Sequence, residues 1–510
     1  MPSSLSNRQR QLFALLLLAL LPAGKAVEPC LDWDTWWHLR VGQYIVDEQK
    51  LPDHDPFSQL GREQNIPWTA YSWLYELMLY GAFRAGDAAG VLIFRHLLFS
   101  LAFGGMAWFF LRHSWNHWLG LGVLGLVTIS LLPFSSERPW HFTIFFTTLT
   151  LHAVLILRDG VSLRRCLWVP LIYVLWANIH IQFVMGFALL GLGWLVTLIE
   201  WRIKRDQTTR LVMWRLFILG VICTLATLIT PFHYRLYIVV WEYASQTRAL
   251  KLVMELQPPV LTEWYNWPLI VLLLAASYRT AQRGNRLWDI VLLASALFFS
   301  MRMQRDLWYG VLAAGAVVVR EQRRTPPPAP PRNGEGSKPF VLSPSALRGG
   351  VGEGFSPWQV AIVVVLALLL MRGVWEAGLS RGKTIEKCHA ETYPVKAAQF
   401  VREQHYSGPL FNDFDWGGYL IWALPEYPVS MDGRTNLYGE ERLIRSFDTW
   451  AGESGWENNP ELQKANVIIA PKKRKEKEFP LTELLRGMPQ RWRIIYEDDT
   501  AAVFESVKAP

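Results

Sequence analysis

The chain has 510 residues, 51% hydrophobic and only 18% charged, with 26 Trp and 26 Phe. That usage lies outside the soluble globular range and points to a polytopic membrane protein. The formal net charge of +8 collects in loops between apolar runs, as membrane topology requires, and gives no reason to invoke nucleic acid as a partner.

The runs lie at residues 12–22, 88–111, 118–134, 140–157, 166–177, 182–199, 211–230, 267–277, 287–301, 306–319 and 357–372. They predict a helical bundle of about eleven spans, several shorter than the roughly 20 residues of a perpendicular crossing. Arg8 and Arg10 set the N-terminus inside. Alternation then places Arg158, Arg164 and Arg165, Arg202 to Arg210, Arg279 to Arg286, and Arg320 to Arg324 in cytoplasmic loops, a consistent positive-inside pattern. The first run also reads as a secretory signal, with Ala23-Gly24-Lys25-Ala26 as its small-residue end. In either case the next segment emerges outside.

In chain order, residues 1–322 form the transmembrane region, with an outer loop at 28–87. Within that loop Trp37, Val41, Tyr44, Ile45 and Glu48 share one face of a helix predicted over Thr35 to Glu48, which can lie in the interface with its tryptophans at headgroup depth. Asp34 precedes it and has a bland alternative role as N-cap. Asp53-His54-Asp55-Pro56-Phe57-Ser58 reads as a turn, and Ser72 to Glu76 as the start of a second interfacial helix. Residues 323–356 are rich in Pro, Gly and Ser, a composition predicted to be a disordered cytoplasmic loop. Residues 357–372 read as the last span.

Residues 373–510 change character and predict a small outer α/β domain. Pro394 to Gln404 and Gly439 to Thr449 have helical patterns; Pro409 to Asn412, Val429 to Met431 and Asn466 to Ala470 read as strands, and Trp492 to Tyr496 with Ala501 to Glu505 as a hairpin. The Lys472-Lys473-Arg474-Lys475 run reads as a solvated loop. Cys166 and Cys223 belong to apolar segments, whereas Cys30 and Cys388 lie outside, where a disulfide between them would persist.

Ionisable residues at a bilayer face are expensive to keep and read as functional by default. The first outer loop carries Asp32, Asp34, His38, Arg40 and Asp55. Later outer turns carry Glu137, Arg138, His141, His180, Glu263, Arg302 and Arg305. Arginines placed outside oppose the charge rule, and several on one face suit an anionic ligand such as phosphate.

Asp32-Trp33-Asp34-Thr35-Trp36-Trp37-His38-Leu39-Arg40 followed by Asp55-Pro56-Phe57-Ser58 resembles the first outer loop of the GT-C superfamily of polyprenyl-phosphate-dependent glycosyltransferases. In the last domain, Asp415-Trp416-Gly417-Gly418-Tyr419 and Val429 to Arg434 are similar in order to motifs of the oligosaccharyltransferase catalytic subunit, without the first Trp of its Trp-Trp-Asp sequence. The resemblance implies a bacterial inner-membrane enzyme that moves a sugar from a polyprenyl-phosphate-linked donor to a glycan, lipid or protein acceptor on the outer face. It implies Asp34 as base or as ligand, with Asp55, to a divalent cation such as Mg²⁺ or Mn²⁺. Asp32 and Glu137 are its catalytic helpers, and His38, Arg40, Asp55, Arg138, His141, His180, Glu263, Arg302, Arg305, Trp416, Asp432 and Arg434 its substrate contacts. A transporter of lipid-linked saccharide or a non-catalytic assembly protein of the same fold is the alternative. Oligomeric state is not legible.

Overall fold

The computed structural model describes residues 30–245, 253–320, 382–472 and 478–507. The first apolar run with its signal-like end, the 323–356 segment, the 357–372 run and Lys473 to Lys475 lie outside the described residues.

The helix predicted before the first crossing forms over Thr35–Glu48 (α1), and a short helix, Gln59–Gln64 (α2), follows it. Trp73–His113 (α3) is broken at Gly86 and Asp87, where the backbone leaves helical angles. The break separates the expected entering helix from the long apolar segment behind it.

Each apolar run between 118 and 319 becomes a helix: His117–Leu131 (α4), Trp140–Arg158 (α5), Val169–Ile179 (α6), Val184–Lys204 (α7), Gln207–Ala226 (α8), Trp267–Gln282 (α10), Leu287–Arg302 (α11) and Leu307–Val319 (α12). Local chemistry sets several starts. Asn116 and Asp206 accept hydrogen bonds from backbone N–H groups in the first turns of α4 and α8, and Pro occupies the first turns of α6 and α10, where no intrahelical donor is lost. Four of the described helical stretches are long and apolar enough to cross a membrane: Trp73–His113, Trp140–Arg158, Ile181–Lys204 and Gln207–Ala226. The connection between α8 and α10 contains a further helix, Arg235–Ser245 (α9).

The C-terminal part opens with Gly382–Thr392 (α13) and Val395–Gln404 (α14). Its sheet has strands Leu410–Asn412 (β1), Val467–Pro471 (β2), Trp492–Glu497 (β3) and Ala501–Ser506 (β4) in the order β1-β2-β4-β3. β1 runs parallel to β2, β2 antiparallel to β4, and Ile468 faces Phe504 across the central pair. All five residues of β2 are buried, which explains its continuous apolar sequence. Phe414–Ala423 (α15), Thr435–Tyr438 (α16) and Glu440–Trp450 (α17) complete the part that meets the bundle.

Val429 to Met431 is not a strand of this sheet. Val429 instead bridges Ser58 of the first loop: its N–H donates to the Phe57 carbonyl at 3.2 Å and its carbonyl accepts from the Gln59 N–H at 2.9 Å. The strand-like backbone at Val429 is thus used to dock one part of the chain on another. Cys30 and Cys388 are free thiols in adjacent positions, the Cys30 thiol donating to the Cys388 carbonyl at 3.9 Å.

Candidate functional site

A cavity of about 530 Å³ lies between the bundle and the C-terminal part, and its wall includes Asp34, His38, Arg138, His180, Arg302 and Arg305. Five segments separated by up to 271 positions, from 34 to 305, converge there. Asp34 precedes α1, and Arg138 the start of α5. His180 ends α6, Arg302 ends α11, and Arg305 sits in the turn before α12.

Asp34 does not cap α1: its carboxylate makes no capping hydrogen bond. It meets an Arg138 guanidinium nitrogen at 2.7 Å and keeps 21% of its side-chain surface exposed, toward the cavity. Burial pushes its pKa up to about 6, against the opposing pull of Arg138. That value leaves a carboxylate able to accept a proton near neutral pH.

Arg138 is a hub. Asp32 accepts from its Nε at 2.8 Å and pairs with a second nitrogen at 2.7 Å, and Glu255 lies 3.4 Å away. Although burial disfavours the charge, these carboxylates hold the guanidinium pKa well above its ordinary value. The Arg138 guanidinium stands over the Trp140 ring at 5.1 Å and that of Arg305 at 5.8 Å. The ring's electron-rich face favours both cations. Arg305 pairs with Glu255 at 3.7 Å, and its Nε is buried without a hydrogen-bond partner. Arg302 is exposed at the rim and makes no ion pair among the described residues.

The two cavity histidines are held neutral, because burial and then the nearby arginines push both pKa values well below the ordinary range. His38 Nδ1 lies 3.2 Å from Glu76, and its ring stacks on Trp37 at 3.5 Å. His180 Nδ1 lies 2.8 Å from the Thr143 hydroxyl. Trp36 and Trp37 are buried. Trp36 packs edge-on against Tyr393 and Tyr419 of the C-terminal part.

Other expected contacts lie elsewhere. Glu137 is fully buried and not catalytic in position: it accepts from Arg95 Nε at 2.5 Å, from the Asp32 N–H at 2.7 Å and from the Thr35 hydroxyl at 2.6 Å. It fixes the start of α1 from behind, and Asp32 in turn orients Arg138. His141 is buried with Nδ1 against the Arg138 carbonyl at 3.0 Å, Arg40 donates to Gln43 at 2.7 Å, Glu263 is exposed on a remote turn, and Trp416 is buried and donates to the Thr392 carbonyl at 3.0 Å. None of these lines the cavity.

Asp55, Asp432 and Arg434 form a separate buried clamp. Arg434 donates to Asp55 at 2.6 Å and grips Asp432 through two nitrogens at 2.8 and 2.7 Å, with its guanidinium beside the rings of Phe57 and Trp68. Burial would raise the Asp55 pKa, but Arg434 and the hydrogen bonds from Ser58 and Phe57 hold it below the usual range. The clamp sets Gly433 against Asp34: a Cβ added there would lie 2.2 Å from the Asp34 Oδ1. Gly417 and Gly418 allow the same approach on α15, where added carbons would meet the Met431 carbonyl at 1.9 Å and the Trp33 carbonyl at 2.7 Å. The Trp-Gly-Gly-Tyr motif is thus a packing device for bringing α15 onto α1 and the 431–433 segment.

Of the two carboxylates expected to hold a divalent cation, Asp34 pairs with the Arg138 guanidinium and Asp55 with that of Arg434.

Asp415, at the head of the Trp-Gly-Gly-Tyr motif, also lines the cavity. So do Glu255, Gln182, Asp306, Tyr71 and Tyr243, which the sequence had not marked. Tyr71 and Tyr243 share a hydrogen bond at 2.9 Å, and Tyr243 donates to Asn436 at 3.0 Å, tying the first loop, α9 and α16 together at the wall. These residues have no periodicity or motif that would have marked them. No protein-family model matches this chain, and no curated protein matches it.

Proposed function

We propose that this protein is a membrane glycosyltransferase of GT-C-like architecture, with about eleven spans and its catalytic cavity and C-terminal domain on the outer face of a bacterial inner membrane. It takes a sugar from a polyprenyl-phosphate-linked donor and passes it to a glycan, lipid or protein acceptor. The observation that carries this reading is the meeting of Asp34 with Arg138, Arg302 and Arg305 in one cavity. A base and a set of cations in one cavity are what glycosyl transfer from a phosphate requires. An apolar groove of about 550 Å³ between α7 and α11 shares Phe299 with the cavity, so a ligand with a charged head and a long apolar chain is accommodated by adjoining surfaces.

In this mechanism Asp34 accepts the proton of the acceptor nucleophile as that atom bonds to the anomeric carbon. The bond from that carbon to the phosphate oxygen breaks, and the polyprenyl phosphate leaves as an anion beside Arg302 and Arg305. Arg138 keeps Asp34 oriented. Neutral His38 and His180 contribute ring nitrogens without adding charge. No step is routed through a metal.

The test uses the full-length protein in nanodiscs with polyprenyl-linked sugars extracted from cells. Asp34→Asn should lower transfer about 10²- to 10⁴-fold while alkyl phosphate binding persists. Transfer at the unmodified rate in Asp34→Asn would sink the catalytic reading, and movement of the intact lipid-linked saccharide across the bilayer would favour a transporter.

A further inference from the structure

Among the described carboxylates that pair with Arg138, Glu255 makes the longest contact. Asp32 and Asp34 meet Arg138 at 2.7 Å, the usual length of a charge-assisted contact. Glu255 lies 3.4 Å from Arg138 and 3.7 Å from Arg305, with a third of its side chain, 33%, exposed. Arg138 is already satisfied by two carboxylates. Arg305 has no other ion pair among the described residues, and its buried Nε has no partner. A single carboxylate oxygen therefore spans two guanidinium groups that together offer more donors than it can use.

We propose that Glu255 is a displaceable stand-in for the anionic group of the substrate: its carboxylate occupies the Arg138–Arg305 fork and is expelled by an incoming phosphate. This inference rests on the phosphate-binding reading of the same cavity and adds the residue that sets its threshold. Where the sugar-linked donor presents a diester with one charge and two free oxygens, the monoester released on transfer carries more charge than a carboxylate and three strong acceptor oxygens. It fills the fork, reaches Arg302 at the rim, and satisfies the Arg305 Nε. Expulsion is inexpensive because the departing side chain is already part exposed and its ion pairs are long.

The experiment measures binding of dodecyl phosphate and of inorganic phosphate to the full-length protein in nanodiscs. Glu255→Gln removes the charge. Glu255→Asp keeps the charge but shortens the reach. Displacement predicts that both variants bind dodecyl phosphate about three- to ten-fold more tightly, the scale of one part-exposed ion pair, and that adding Arg305→Gln abolishes the gain. Tightening in Glu255→Gln alone would mean simple charge repulsion and would overturn the proposal. Weaker binding in either variant would make Glu255 a ligand contact and overturn it equally. If inorganic phosphate binds as well as dodecyl phosphate and shows the same gains, the stand-in role holds and the lipid-linked reading fails. If neither probe binds any variant, both fail.

Discussion

Replacing Arg434 with Met removes the cation of a clamp whose three side chains are 0 to 2% exposed and leaves Asp55 and Asp432 without their counter-charge. Breaking a buried pair by removing one partner typically costs about 3–5 kcal/mol, because the remaining charge stays desolvated. Two carboxylates stranded side by side put Arg434→Met at the upper end, about 5 kcal/mol. Some of that cost returns if the acids are neutralised as well. Asp55→Asn with Arg434→Met and Asp432→Asn should therefore be more stable than Arg434→Met alone by roughly 2 kcal/mol or more. The assay is thermal unfolding of the three proteins in detergent, followed by intrinsic tryptophan fluorescence, with limited proteolysis to report release of the C-terminal part. Acid adds an independent check. The Asp55 pKa is lowered in the folded state, so its contribution is fully present above the ordinary carboxylate pKa of about 3.9 and is lost as the pH falls below it. The unmodified protein should then lose stability on acidification below about pH 4 more steeply than the triple variant. A cost under about 1 kcal/mol for Arg434→Met, the value of a surface ion pair, would refute the clamp.

Gly433→Ala should keep the fold and lose transfer, since the new carbon must push Asp34 from the 2.2 Å approach and away from Arg138. A misplacement of about 1 Å costs on the order of 10²-fold in rate, and unchanged transfer with an ordinary melting profile would show that Asp34 need not sit against this backbone. The pH profile of transfer follows from the raised Asp34 pKa: the rate falls as the pH drops through about 6 because protonation removes the base. Glu255→Gln should move that inflection downward, since Glu255 is among the groups that raise it; an inflection absent from the acid limb in transfer assays between about pH 5 and 8 would remove Asp34 as the base.

The order of the helices was legible because it follows from local patterns: apolar runs and the charge between them. The start of α1 at Thr35 was legible for the same reason. The hairpin of β3 and β4 and the buried strand β2 announced themselves by alternation and by a continuous apolar stretch. The site residues Asp34, His38, Arg138, His180, Arg302 and Arg305 stood out because charge beside hydrocarbon is costly and needs a cause.

Tertiary structure decided what each charge faces. Asp34 and Glu137 look alike in sequence, but one opens on the cavity and the other is sealed behind α1 against Arg95. Asp55 and Arg434 are separated by 379 positions, and no local pattern can announce a pairing that chain folding alone creates. Val429 carried a strand's composition yet spends its backbone on the first loop, and Glu255 carried no signal at all. Sequence periodicity reports which face of an element avoids water. Which partner covers that face, and whether a buried charge meets a ligand or another side chain, is fixed only when distant segments pack.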